Sequence, residues 1–175
     1  MEQKILVPLD GTPLGEAVLP KLENLVFKGM PGGDIEVTLL RVVSNLNFNY
    51  LTTSDAAQLA RPDSEMAELA AKEQGYLDSV AGKIKVSGVR VKTRIAVGNA
   101  AEEIIKVGHE IGASLIAMST HGRNGFVRWA IGSVTDRVIR LEGKIPVLAV
   151  HADEKAEKNQ VLTMDSLQSL VRPAK

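Results

Sequence analysis

Apolar residues along this chain follow two rhythms, and the two alternate. The run "KILVPL" (residues 4–9) is short, β-branched and closed by "DGTP", so it predicts a strand ending in a turn. Between Pro13 and Phe27, the positions Leu14, Ala17, Val18, Leu22 and Leu25 fall near helical spacing, with Lys21 as a polar interruption. "GMPGGD" stops that predicted helix, and "IEVTLLRVV" (35–43) predicts a second strand. An irregular polar connection follows, and then a stretch rich in Ala, Glu, Lys and Leu that predicts a long helix over about 64–84. "VRVKTRIAV" (89–97) alternates apolar with charged residues, the pattern of a half-exposed strand. "NAAEEIIKVGHEIG" predicts a helix with Asn99 as N-cap and Glu102 at the capping-box position. "SLIAM", "SVTDRVIRLE" and "PVLAVH" complete the series as strand, helix and strand.

Strands that alternate with helices of this length need crossover connections, hence a mainly parallel sheet covered on both faces. The predicted fold class is therefore α/β, a doubly wound five-stranded sheet with helices on both faces. Such sheets bind ligands at the carboxyl ends of their strands, where the strand order reverses. Two loops would meet there: "PLDG" after the first strand and "STHGRNG" after the fourth.

Composition narrows the field of functions. The chain has 175 residues, 45% of them hydrophobic, which is enough for one good core. Its 21 basic residues balance 21 acidic ones, which argues against general binding to nucleic acid or to a membrane surface. With no cysteine, disulfides, thiolate metal sites and cysteine nucleophiles are excluded. No apolar run approaches the roughly 20 residues of a membrane span, and "MEQKILVPLD" has no long apolar segment, so a cytoplasmic protein is the expectation.

The stretch 119–133, "STHGRNGFVRWAIGS", carries the candidate chemistry. Gly122 and Gly125 free the loop to turn backbone N–H groups inward, as a phosphate requires. Gly132 and Ser133 then open a helix, whose N-terminus has unpaired donors and partial positive charge. The hydroxyls of Ser133 and Thr135 are further candidate donors, and Arg123 and Arg128 are candidate counter-charges. The plain alternative is a tight turn followed by a serine-capped helix. Asp10, ending the first strand, can accept from ribose hydroxyls or hold a divalent cation through water; otherwise it is a turn aspartate that caps the next helix.

"ILVPLDGT", "VGNAAEEIIKVG", "LIAMSTHGRNG", "IGSVTDRVI" and "PVLAV", in that order, resemble the universal stress protein family over residues 1–151. The nucleotide-binding branch of that family is marked by Gly, two residues, Gly, nine residues, then Gly and Ser or Thr. Here the second glycine falls on Gly122, the nine are "RNGFVRWAI", and the end is Gly132-Ser133. The first glycine falls on Ser119, a departure from the pattern. The resemblance implies a Rossmann-like sheet of order 3-2-1-4-5 and binding of ATP, with Mg²⁺ or Mn²⁺ carried on the phosphates. It places Pro8, Leu9 and Asp10 at adenine and ribose, Val42 at adenine, and Met118 near ribose or base. Ser119, Gly122 and Arg123 would face the phosphates, with Gly132, Ser133, Val134 and Thr135 binding them. It also implies a two-fold homodimer through strand 146–151. Because nothing in the chain supplies a general base positioned to activate water, the expected role is a nucleotide-dependent stress regulator with at most slow hydrolysis. The alternative is a dimeric interaction module of the same fold that binds no nucleotide, with Ser119 marking a closed site.

Other motif readings are weaker. "DGTPLGE" lacks the spacing of a dinucleotide fingerprint, and no P-loop occurs. His109, His121 and His151 lack zinc-ligand spacing, and no nucleophile elbow surrounds Ser133. His121 and Trp129 read as loop-orienting and packing residues. Residues 44–62 form a long connection, and 152–175 read as a charged linker followed by a possible short amphipathic helix.

Overall fold

A computed structural model describes residues 2–27, 34–43, 63–120 and 132–151. Its five strands are β1 (Gln3–Leu9), β2 (Ile35–Val43), β3 (Val89–Val97), β4 (Leu115–Thr120) and β5 (Val147–His151). They form one parallel sheet in the order β3-β2-β1-β4-β5. The sheet grows from β1 through β2 to β3, then crosses back to β4 and β5, so the order reverses between β1 and β4.

Alternation along the strands divides the core into two layers. Ile5, Val7 and Leu9 face one side with Val18, Leu22 and Leu77. Leu6, Leu40 and Ile116 face the other with Ile104, Val107 and Val138. The first layer is covered by α2 (Val18–Leu22) and α3 (Asp63–Lys83), the second by α4 (Ala100–Ile111) and α5 (Ser133–Leu141). A short α1 (Pro13–Glu16) precedes α2. At the edge, β3 alternates half-buried and exposed residues from Val89 to Lys92, as its pattern predicts, and is half-buried from Thr93 to Ala96. Its charges pair locally: Arg90 with Glu2, Lys92 with the buried Glu36 at 2.8 Å, and Arg94 with Glu110. Charges of this kind discourage edge-to-edge association.

The single helix expected over 13–27 is corrected. The chain divides at Ala17, and α2 runs into a π-helical turn, Glu23–Phe27. The physical reason is Pro20, which has no N–H for the carbonyl of Glu16 and crowds it with its ring. Val18 and Leu22 stay buried, but the widened turn carries Leu25 off the apolar face to 63% exposure. The N-cap of α4 is Asn99, which accepts from the N–H of Glu102 at 3.4 Å. The return half of that capping box gives way to an ion pair, because Glu102 bonds Arg137 of α5 at 2.8 Å. Gly112, at φ +63°, ends α4 in the left-handed conformation that glycine adopts without strain.

Candidate functional site

The crevice starts where β1 and β4 part. Their register runs Ile5 to Leu115 and Leu6 to Ile116, and Pro8 has no N–H with which to extend a ladder. Meanwhile β1 stays paired with β2 through Leu9. Beyond the fork lies a cavity of about 530 Å³, at the carboxyl ends of β1, β2 and β4 and the start of α5.

Pro8, Leu9, Asp10, Val42, Met118, Ser119, Gly132, Ser133, Val134 and Thr135 all border this cavity. Gly122 and Arg123 lie outside the described residues, as do His121, Gly125, Arg128 and Trp129. Four lining residues were not singled out by the sequence: Gly15, Arg41, Ala100 and Ile104. Arg41 carried a signal, being beside Val42 at the end of a strand that reaches the crevice. Ala100 and Ile104 carried another, as the first turn of the helix that follows β3.

Each wall has a distinct chemistry. Pro8, Val42, Ala100, Ile104 and Met118 make an apolar slot, while Asp10, Arg41, Ser119 and Ser133 supply polar groups. At α5, the N–H of Asp136 bonds the carbonyl of Gly132 at 2.9 Å and closes the first turn. By helical geometry the N–H groups of Ser133, Val134 and Thr135 have no acceptor within the helix. The cap itself is Gly132, with no side-chain cap bond, so Ser133 does not serve as the N-cap.

Two hydroxyls have structural partners. Ser119 Oγ is buried and donates to the carbonyl of Gly15 at 3.0 Å, tying β4 to α1. Thr135 Oγ1 donates to the carbonyl of Ser119 at 3.3 Å, tying α5 to β4. The Thr135 hydroxyl, a candidate ligand donor in the sequence, fastens the helix to β4 in this structure.

Asp10 sits in the turn after β1 and borders the cavity. Its Oδ1 accepts from the N–H of Thr12 at 2.9 Å and from Thr12 Oγ1 at 2.7 Å. Thr12, not Asp10, caps α1 by accepting from the N–H of Gly15 at 3.0 Å. Asp10 thus braces the turn while bordering the cavity. Across from it, Arg41 Nε bonds the carboxylate of Glu73 on α3. Behind these groups, burial and then the Glu16 carboxylate push the phenol of Tyr76 up.

A doubly wound parallel sheet with a crevice at its switch point defines the class: a Rossmann-like α/β domain. The model of the universal stress protein family matches residues 1–151, and the chain belongs to that family. It is 28% identical over 159 residues to universal stress protein MJ0577 of Methanocaldococcus jannaschii, spanning 86% of this chain and 95% of the relative. Universal stress protein MJ0531 of the same organism is 30% identical over 154 residues, 87% of this chain and 84% of the relative. The solved structure of MJ0577 matches with a TM-score of 0.68 at 25% identity, over 87% of this chain and 97% of that one. An Arabidopsis thaliana family member solved with AMP bound matches with a TM-score of 0.59 at 16% identity, over 88% and 94%, and shares the fold. Among the described residues no helix is long and apolar enough to cross a membrane.

Proposed function

We propose that the crevice binds an adenine nucleotide, ATP in the first instance, and that the protein acts as a nucleotide-dependent stress regulator. The observation that carries this reading is the convergence of the apolar slot and the open α5 N-terminus on one cavity of about 530 Å³. Adenine would lie in the slot between Val42, Pro8 and Met118, and Asp10 would accept from the ribose. The phosphates would reach the N–H groups of Ser133, Val134 and Thr135, where unpaired donors and the helix dipole favour negative charge. The AMP held by the Arabidopsis thaliana protein supports the ligand class, since it is an adenine nucleotide on the same fold.

Asp10 is the one carboxylate among the cavity's described lining residues, and the described residues hold no cluster of three metal-ligating side chains. Mg²⁺ or Mn²⁺ would accordingly arrive on the phosphates, adding Lewis-acid charge neutralisation there. Asp10 already accepts two bonds from Thr12, so it is a brace rather than a base poised over water. Binding with slow hydrolysis is the expected behaviour, and β5, paired on one side with β4, is the proposed seam of a homodimer. Mass spectrometry of the purified, denatured protein tests the ligand directly. Co-purifying ATP supports the proposal, and its absence together with no binding on addition supports an interaction module of the same fold.

A further inference from the structure

Between β4 and β5, the N–H of Ile116 bonds the carbonyl of Pro146. In a parallel strand the backbone groups of alternate residues face opposite neighbours. Ile116, Met118 and Thr120 therefore turn theirs to β5, and Leu115, Ala117 and Ser119 turn theirs to β1. The β1–β4 ladder ends at the Leu6–Ile116 pair. The carbonyl of Ser119 lies past that fork, with no rung of β1 opposite it. Its donor is the hydroxyl of Thr135, at 3.3 Å, from the first turn of α5. A side chain of the helix thus takes a place that a neighbouring strand fills in a regular sheet.

Among the described residues, little else fixes this end of α5. Of its nine residues only Thr135 and Val138 are buried, at 3% and 0% exposure. Val138 packs one turn further on, in the layer of Leu6, Ile104 and Ile116. The Gly132 cap makes no side-chain cap bond. Arg137 pairs with Glu102 of α4 at 2.8 Å, but both side chains are more than half exposed, and ion pairs of that kind hold geometry weakly. Thr135 is the one buried polar side chain of the helix. Binding of phosphate by N–H groups depends closely on where they stand. A shift of about 1 Å carries a contact of about 2.9 Å out of hydrogen-bond range.

Resting on the nucleotide reading above, we propose that the Thr135 hydroxyl is a positioning group that seats the phosphate-binding end of α5 on β4. It acts through the carbonyl of Ser119 and not by touching the ligand. The base and sugar end of the crevice, built from β1, β2 and α4, does not depend on it.

Two measurements on Thr135→Val, which keeps the shape and removes the hydroxyl, test this. The first is hydrogen exchange followed by NMR on the ligand-free protein. The amides of Asp136, Arg137 and Val138 should exchange at least about tenfold faster than in the wild type, and those of Ile104 to Val107 in α4 should stay within about threefold. The second is calorimetric titration. ATP should bind the variant at least about tenfold more weakly, while adenosine, titrated directly or in competition with ATP, should stay within about threefold. Thr135→Ser, which keeps the hydroxyl, should match the wild type in both. If Thr135→Val fails to fold, Thr135→Ala, which sets no methyl group against the carbonyl, takes its place. Unchanged exchange at α5 would overturn the proposal, as would equal weakening of ATP and adenosine, or unweakened ATP. A Thr135→Ser protein that loses its preference for ATP over adenosine would overturn it too. No binding of ATP by the wild type is a different result: it overturns the nucleotide reading, while the exchange rates still report whether Thr135 seats α5.

Discussion

A methyl group on Gly15 would stand 2.3 Å from Oδ1 of Asp10. That oxygen is not free to swing away, because Thr12 holds it through two hydrogen bonds. Gly15→Ala is therefore expected to cost about 1–2 kcal/mol through those bonds. In urea unfolding the double variant Asp10→Ala/Gly15→Ala should be little worse than Asp10→Ala alone, since the clash has lost its partner; full additivity would contradict the coupling. Ser119 gives a second test at this scale. Its proton is committed to the carbonyl of Gly15, so Ser119→Ala should lose about 1 kcal/mol of stability. ATP affinity should stay within about threefold, and a tenfold loss would mean the hydroxyl serves the ligand. Most of the lining was legible in the sequence because strand ends, glycines and a helix start carry local signals. The Ser119–Gly15 bond was not, because it joins residues 104 positions apart. The bond of Arg41 to Glu73 was not either, because it joins the end of β2 to α3 across 32 positions of the chain.

Element boundaries followed the hydrophobic rhythm wherever the backbone could be regular. They failed after Pro13, where spacing alone does not register the N–H that Pro20 lacks and the wider turn from Glu23 that follows. Junctions between elements were also hidden, and the joint of α4 with the turn after α5 is an instance. The Glu142 side chain, 1% exposed, lies 3.0 Å from Nε2 of His109 and accepts from the N–H groups of Lys144 and Ile145. Burial alone would raise its pKa, but the bonds from the N–H groups of Ile145 and Lys144, with the His109 imidazole alongside, hold it below the ordinary glutamate value. A hydrogen bond from Lys92 likewise holds Glu36 down. A carboxylate depressed in the folded state stabilises the fold above its unfolded pKa, and that stability is lost as pH falls through the folded value. Stability should thus decline from about pH 5 downward, and Glu142→Gln should flatten the decline while lowering stability near neutrality. Urea midpoints at neutral and acidic pH measure both, and an unchanged acid slope in the variant would contradict the assignment.

At the scale of the whole molecule, alternating rhythms implied the doubly wound sheet, and the family resemblance implied its order. What a linear pattern does not reveal is which atoms of an edge strand face outward. The N–H of Ile116 bonds the carbonyl of Pro146, so in a parallel ladder the N–H of Leu148 turns inward to β4 and that of Ala149 turns out. The proposed dimer is best tested there. The wild type should sediment as a dimer at micromolar concentration and Ala149→Pro as a folded monomer, through loss of an outward donor; a monomeric wild type would contradict the seam. The central claim concerns the crevice, and Gly132 tests it most directly. Its φ of −57° and ψ of 146° suit any residue, so Gly132→Val adds bulk at the mouth of α5 without straining the backbone. In calorimetric titration the wild type should bind ATP, and the folded variant should bind it at least about tenfold more weakly, a difference of about 1.4 kcal/mol. Equal affinity in a folded Gly132→Val protein, or no binding of ATP by the wild type, would contradict the account.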